Sequence, residues 1–171
     1  NLLLFHGEKM FDQNYICDEG NEVMKLAILG MMESLSDNLW ESKLKRDVDF
    51  GHTFSPNIEM SSLEMNEQKL SHGEAVALDV LLSCYIAYDR RYIKKIDLDN
   101  IISIMKIFNL RLTHPLFNSF NIVLEGFLDI QKHRNNHQHL PVPRPMGNTF
   151  FIEDLSYEKL KLACAKLMAN N

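Results

Sequence analysis

The sequence predicts a mainly α-helical domain with at most short strands. Apolar residues recur at helical spacing in most long segments of the 171-residue chain, which indicates amphipathic or buried helices. Several of these segments begin with a residue suited to helix capping. Only N-T-F-F-I-E-D, at residues 148–154, is typical of a short strand. We therefore expect five to seven helices.

The N-terminal part contains one long predicted helix. Residues 2–5 are apolar and lie close before a glycine, so we expect an extended piece followed by a loop. Asn21 is a suitable N-cap for a helix over residues 22–35, which has an apolar face. A short helix over residues 39–44 should bury Trp40.

The central part contains the most apolar segment. Ser55 is expected to cap a helix over residues 56–65, with a proline in its first turn. Ser71 and Glu74 have the spacing of a capping box. The helix behind this box, residues 73–92, is apolar nearly all round, so we expect it at the centre of the domain.

Three further helices are predicted towards the C-terminus. Asp97 should cap a helix over residues 97–108, and a second amphipathic helix should cover residues 119–133. A long loop rich in proline and asparagine leads to the predicted strand. Ser156 should then cap the last helix, which ends near residue 168.

The composition is that of an ordinary globular protein. The chain is 46% hydrophobic and 24% charged, and its formal net charge of −5 argues against a non-specific nucleic-acid binder. No apolar run reaches membrane-spanning length. Cys17, Cys84 and Cys164 are far apart and odd in number, so we expect free thiols in a reducing, cytoplasmic setting, with the last two buried.

Two imidazoles, a carboxylate and an amine are candidates for a metal site. His52 follows Gly51 in a turn, and His72 stands at the start of the central helix, where the helix dipole favours a neutral, metal-binding ring. Glu22 would complete a three-ligand site, and Lys25, on the same side of its helix, would act as general base or phosphate binder. The alternative is a solvated Glu22–Lys25 ion pair and a surface histidine at 72.

Other common signatures are missing from the sequence. It has no H-E-x-x-H, G-x-G-x-x-G, P-loop or G-x-S-x-G motif. His137-Gln138-His139 has a spacing that suits a metal ion. Its loop is predicted to be flexible, so we expect only opportunistic binding there.

Three motifs together resemble those of the sugar phosphate cyclases, the superfamily of 3-dehydroquinate synthase. They are G-N-E-V-M-K at residues 20–25, G-H-T-F at 51–54 and H-G-E-A-V-A at 72–77. The resemblance continues through H-P-L-F, H-R-N-N and L-P-V-P. It implies the helical C-terminal domain of a dehydroquinate-synthase-like fold, with residues 1–171 as a single, partial metal- and substrate-binding domain.

The resemblance also implies roles for single residues. Glu22, His52 and His72 match the family's zinc ligands, with Co2+ as an alternative ion, and Lys25 matches its active-site lysine. Asp49 stands where the family handles substrate, so it is a second catalytic candidate. The expected substrate contacts are Asn1, Lys45 or Arg46, and Lys132.

The segment D-F-G-H-T-F-S-P indicates a branch of the superfamily. Dehydroquinate synthases carry Asn and His where this chain has Asp49 and Pro56. This Asp and Pro combination, with N-L-W-E before it and L-P-V-P after it, is similar to the 2-epi-5-epi-valiolone synthases, whose substrate is sedoheptulose 7-phosphate. The alternatives are 3-dehydroquinate synthase, a cyclase of the gadusol or mycosporine type, or a helical interaction module without catalysis.

The implied reaction takes place in one active site with NAD+ and zinc. A ring hydroxyl is oxidised with NAD+ to a ketone, which acidifies the neighbouring C–H bond, and phosphate is then eliminated. After the ketone is reduced again, the ring opens and closes by an intramolecular aldol step. NAD+ is recycled, so the net reaction is that of a lyase, with zinc as the Lewis acid.

Two departures from the family pattern bear on activity. No glycine-rich turn or βαβ pattern precedes Asn1, so the N-terminal NAD-binding domain is expected to be absent. Glu22 and His52 are closer in sequence than in the family, which indicates an internal shortening after Ala27. We therefore expect this chain to be inactive alone, as one part of an enzyme that would be a homodimer.

Overall fold

The computed structural model describes residues 1–36, 38–40, 42–65 and 68–170. In these ranges seven α-helices accompany one two-stranded antiparallel sheet, so the predicted mainly helical class is confirmed. The helices are α1 (Leu2–Asp12), α2 (Asp18–Ser36), α3 (Ser55–Ser62), α4 (His72–Asp89), α5 (Lys95–Ile107), α6 (Phe120–His133) and α7 (Tyr157–Met168). None of the described helices is long and apolar enough to cross a membrane.

Helix α4 forms the centre of the domain, as its apolar sequence predicts. Leu78, Leu81 and Leu82 are fully buried, and the helix contacts α3, α5, α7 and the sheet. The capping box is confirmed, because the Ser71 hydroxyl accepts from the Glu74 amide at 3.4 Å and the Glu74 carboxylate accepts from the Ser71 amide at 2.9 Å. These two bonds fix the start of α4, where His72 lies.

A β-hairpin follows α6 and packs one of its strands on α4. The strands are β1 (Leu140–Pro143) and β2 (Thr149–Ile152), with Leu140 opposite Ile152. The prediction of β2 is confirmed, whereas β1 was expected to be part of a loop because of its prolines. Every residue of β1 is buried. The Arg144 amide donates to the Asn148 carbonyl at 2.8 Å, so the alternate positions 141 and 143 face away from β2 and their prolines remove no ladder bond.

The first residues form a helix and not the extended piece that their short apolar run suggested. The Asn1 carbonyl accepts hydrogen bonds from the amides of Leu4 and Phe5, which starts α1. Gly7, expected to break the chain, lies buried within this helix. A Cβ atom there would come within 2.8 Å of the Ile107 side chain, so glycine lets α1 approach α5 closely.

Helix α2 differs from its prediction in its start and in its packing. It begins at Asp18, so Asn21 is not its N-cap, and only Gly20 is buried. Most of its large apolar residues are exposed: Met24, Leu26, Ile28, Leu29, Met31 and Met32. Its main contacts are with α1 and with the 3-10 turn Asp47–Asp49. Exposed apolar surface of this kind is typical of interaction surfaces.

The predicted short helix over residues 39–44 is wrong for the residues that the structure describes. Residues 38–40 form a turn, residues 42–46 are not helical, and Trp40 is 93% exposed. Asp37, Glu41, Asn66, Glu67 and Asn171 lie outside the described residues. Glu41 is the last residue of the N-L-W-E motif, so the structure describes only the first three residues of that motif.

The later helices agree well with their predictions. Helices α6 and α7 match their predicted bounds to within one residue, and the Ser156 hydroxyl accepts from the Lys159 amide at 3.4 Å as the predicted N-cap of α7. Helix α5 starts at Lys95, two residues early, so Asp97 caps from inside the helix by accepting from the Lys94 amide at 2.9 Å. The buried free cysteines are confirmed at both predicted positions.

Candidate metal and substrate site

The turn that carries His52 is held close to the surface of α4. Gly51 has φ +81°, a conformation that favours glycine, and a Cβ atom there would lie 2.9 Å from a methyl group of Val80. The His52 amide donates to the Asp49 carbonyl at 2.9 Å, which closes the turn. The glycine therefore brings the histidine-bearing backbone against the helix that begins at His72.

The carboxylate of Asp79, on α4, anchors the other end of the same turn. Asp79 is fully buried, and one of its oxygens accepts from the amides of Phe54 at 2.6 Å and Ser55 at 2.8 Å. Asp79 thus caps α3, and the predicted N-cap Ser55 instead donates its hydroxyl to the Gly51 carbonyl at 2.7 Å. Burial raises the pKa of Asp79 to about 6, although the amide hydrogen bonds act in the opposite direction.

The imidazole rings of His52 and His72 are neighbours. Their centroids lie 5.5 Å apart, with 47° between the ring planes. His52 Nδ1 lies 3.3 Å from the Phe50 carbonyl oxygen, and His72 Nδ1 lies 2.9 Å from a carboxylate oxygen of Glu59. Among the described residues no hydrogen bond reaches either Nε2 atom.

This arrangement suits two metal ligands. If each Nδ1–H donates to its oxygen neighbour, each Nε2 carries the lone pair that a divalent cation needs. Histidine ligands of metal ions are typically oriented in this way by an outer carboxylate or carbonyl. Glu59, which the sequence did not single out, is such a carboxylate for His72.

Glu22 does not join the two histidines in the described structure. It lies on α2 as a half-exposed side chain, and its carboxylate is 3.8 Å from the Lys25 ammonium. Among the described residues, the group of three or more possible ligands within 4.8 Å of one another is His137, His139 and Glu153. The structure therefore brings together two of the three predicted ligands, while Glu22 and Lys25 adopt the ion pair that was the alternative interpretation.

Asp49 lies buried between two guanidinium groups. Its carboxylate is 2.6 Å from Arg46 and 3.1 Å from Arg134. Arg134 is itself buried, and it also donates to the carbonyl oxygens of Gln138 at 3.1 Å and His139 at 3.0 Å. Burial lowers the pKa of Arg134, and the nearby Asp49 charge raises it.

These charged groups line a cavity of about 220 Å³ between residues 44–49 and the C-terminal end of α6. The lining residues are Leu44, Arg46, Asp49, Ile130, His133 and Arg134. Arg46 and Arg134 place two guanidinium groups at this cavity, and guanidinium groups are suited to binding an anion such as a phosphate group. Sequence reasoning found Arg46 and Asp49 but missed Arg134, although H-R-N-N was among the motifs noted.

The remaining predicted substrate contacts lie on the surface. Asn1 is exposed at the start of α1. The Lys45 ammonium is 3.6 Å from the Glu153 carboxylate, and the Lys132 ammonium is 2.6 Å from that of Asp129. Their roles, like those of the metal-site residues, stay predictions.

Comparison with known proteins agrees with this domain over nearly its whole length. The family model 3-dehydroquinate synthase C-terminal matches residues 13–133. A 2-epi-5-epi-valiolone synthase from Streptomyces hygroscopicus subsp. jinggangensis is 35% identical over 98% of this chain and 41% of its own length. A demethyl-4-deoxygadusol synthase from Trichormus variabilis is 34% identical over 81% of this chain and 33% of its own.

A solved structure shows the same fold. ValA, the 2-epi-5-epi-valiolone synthase from Streptomyces hygroscopicus subsp. jinggangensis with NAD+ and Zn2+ bound, matches with a TM-score of 0.90 at 35% identity. The match covers 97% of this chain and 45% of ValA, so the predicted helical domain of a dehydroquinate-synthase-like fold is confirmed. The chain spans about two-fifths of the length of the valiolone synthase that it matches. This chain belongs to the 3-dehydroquinate synthase C-terminal family.

Proposed function

We propose that this chain is the metal- and substrate-binding part of a sugar phosphate cyclase that converts sedoheptulose 7-phosphate into 2-epi-5-epi-valiolone. The observation that carries the proposal is the pairing of the His52 and His72 rings, whose Nε2 atoms make no hydrogen bond to any described residue. The similarity to 2-epi-5-epi-valiolone synthases supports this branch over the others. The similarity to ValA also supports zinc and NAD+ as cofactors of the whole enzyme.

The chain's own residues fit zinc in part. His52 and His72 would hold the ion through Nε2, and Glu22 is the proposed third ligand after a movement of its side chain or helix. Bound zinc supplies Lewis-acid polarisation of a substrate oxygen. Glu59 would hold the Nδ1 proton of His72 throughout, so that this ring remains in the tautomer that binds a cation.

The cavity between Arg46 and Arg134 is the proposed phosphate subsite. Guanidinium groups present paired N–H donors in a geometry that matches phosphate oxygens, and burial of Arg134 strengthens such bonds. Asp49 would accept hydrogen bonds from substrate hydroxyls at the same cavity. Lys25 would contribute an ammonium or amine group, and Asn1, Lys45 and Lys132 are the further proposed contacts.

The described residues do not by themselves fit NAD+. They contain one antiparallel sheet of two strands and no βαβ unit, which is the usual dinucleotide-binding element. The NAD+ proposal therefore concerns the whole enzyme. From the resemblance to the sugar phosphate cyclases, we also propose that the whole enzyme is a cytoplasmic homodimer.

Phosphate release is the test. The chain is assayed alone, and also fused behind the N-terminal part of ValA, with NAD+ and Zn2+ or Co2+. We expect the fusion to release phosphate from sedoheptulose 7-phosphate and to form 2-epi-5-epi-valiolone, identified by mass spectrometry and NMR. A gadusol-type product, or release only from the seven-carbon deoxy-keto-acid phosphate used by dehydroquinate synthase, would favour another branch.

Variants at the paired histidines separate an enzyme from a non-catalytic helical module. His52→Ala and His72→Ala should each abolish phosphate release and weaken binding of one metal ion. The matched control is His6→Gln, because His6 is a half-buried histidine far along the chain from both rings and 3.8 Å from the carboxylate of Glu19. A module without catalysis predicts no metal at this pair and losses of stability of only about 0.5 kcal/mol in all three variants.

A further inference from the structure

A second group of possible metal ligands lies at the base of the β-hairpin. We propose that His137, His139 and Glu153 form a binding site for a divalent transition-metal cation, separate from the His52 and His72 pair. Their ligand atoms all lie within 4.8 Å of one another. No residue of this group belongs to the proposed catalytic machinery.

The strand register explains why the three side chains meet. Leu140 pairs with Ile152, so the antiparallel ladder, continued by one position, sets His139 opposite Glu153. His137 precedes His139 by two residues, and the two rings are stacked at 5.0 Å with 3° between their planes. The imidazole rings of His137 and His139 are thus parallel and lie next to the Glu153 carboxylate.

The distances are close to those of a metal site. His139 Nδ1 contacts one oxygen of Glu153, and His137 Nδ1 lies 3.9 Å from the other. Ligand atoms that share a tetrahedral zinc ion at bonds of about 2.0–2.2 Å lie roughly 3.3 Å apart. Small rotations of the side chains therefore suffice to place a cation between them.

The loop that carries the two histidines is held in place, contrary to the flexible loop expected from the sequence. The Gln138 side-chain amide donates to the Leu155 carbonyl at 3.1 Å and accepts from the Leu155 amide at 2.7 Å. Buried Arg134 donates to the carbonyls of residues 138 and 139. The histidines are thus positioned before any ligand binds, which reduces the entropy cost of coordination.

The ligand types select the class of cation. Two imidazoles and one carboxylate are typical of Zn2+, Co2+, Ni2+ or Cu2+ sites, whereas Mg2+ and Ca2+ prefer oxygen ligands. A water molecule would take the fourth position. The Lys45 ammonium, 3.6 Å from Glu153, is the one competing cation among the described side chains around Glu153, and its own half-exposed side chain is able to turn into solvent.

Titration of the full chain with Zn2+ or Co2+ tests the proposal. Calorimetry, or the visible absorption of bound Co2+, should detect one bound cation that is still bound in a His52→Ala/His72→Ala variant. Glu153→Gln keeps the shape of the side chain but removes its charge, and His139→Ala removes one nitrogen. Each should raise the Kd of this cation by at least about 10–100-fold, which is the loss caused by removing even an outer partner of a ligand.

His6→Gln is the matched control and should leave the Kd unchanged. Unchanged binding in Glu153→Gln and His139→Ala would overturn the proposal, as would a His52→Ala/His72→Ala variant that binds no cation. The wild-type chain gives a readout that needs no variant, because Zn2+ should shift the imidazole NMR signals of His137 and His139. If these signals stay fixed, the site does not exist, whatever happens at the other histidine pair.

Discussion

Replacing Asp79 tests how the His52 turn is anchored to the central helix. The Asp79 carboxylate is fully buried and accepts from two amides at the start of α3 through a single oxygen. Asp79→Asn has the same shape, and its amide oxygen is able to accept both bonds. Asp79→Ala leaves the two buried N–H groups without an acceptor, which costs about 1–3 kcal/mol for each group.

The pH dependence of stability gives the sharper measure. Burial raises the Asp79 pKa from 3.8 to about 6 in the folded protein. Between these values the folded protein binds more protons than the unfolded chain, so the free energy of unfolding falls as pH rises. The contribution is fully present below the unfolded pKa and lost above the folded one. It amounts to about 3 kcal/mol, at roughly 1.4 kcal/mol per pH unit.

Urea denaturation followed by far-UV circular dichroism measures this effect. The difference in unfolding free energy between wild type and Asp79→Asn isolates the titration of Asp79 from that of the histidines. It should shift by about 3 kcal/mol in favour of the variant between about pH 3.5 and pH 7. A difference that is constant with pH, or that shifts in favour of the wild type, would refute the reasoning.

Two further changes test the surroundings of the candidate site. Arg134→Leu should cost about 3–5 kcal/mol in urea denaturation, because it removes a buried guanidinium that donates to Asp49 and to the carbonyls of residues 138 and 139. Arg144→Leu, which loses cation–π contacts with Tyr92 and Phe150 at the surface, should cost at most about 1–2 kcal/mol. Equal losses would contradict a buried ion pair. Gly51→Ala should cost about 1–3 kcal/mol because of its positive φ. Gly73→Ala, where a Cβ atom meets nothing, should be neutral or stabilising, and a similar cost at both glycines would contradict this account.

The elements that could be predicted from sequence are those with strong local signals. Helix α4 has a continuous apolar pattern and a capping box at Ser71, so both its existence and its start are local properties. Residues 2–5 have no such signal, because a short apolar run fits a strand or a helix equally well. In the structure these residues are helical, and Gly7 of the same helix packs against α5. The sequence does not show this tertiary contact.

The candidate site shows the same division. His52 and His72 could be paired through their motifs, and the structure places the two rings side by side. Arg134 could not be found in this way, because its partner Asp49 is 85 residues away and no spacing rule connects them. The role of Asp79 could not be predicted either, because it depends on the start of α3 packing against this residue of α4.

The amino-acid order alone determined the helical class, the central helix and the family, because periodicity, caps and motifs are properties of neighbouring residues. Tertiary structure decided which distant groups became partners: Arg134 with Asp49, Glu59 with His72, and Glu153 with the two hairpin histidines. The physical reason is that a buried charge or a metal ligand is satisfied by whatever the fold brings within a few ångströms of it. No local pattern encodes that neighbour.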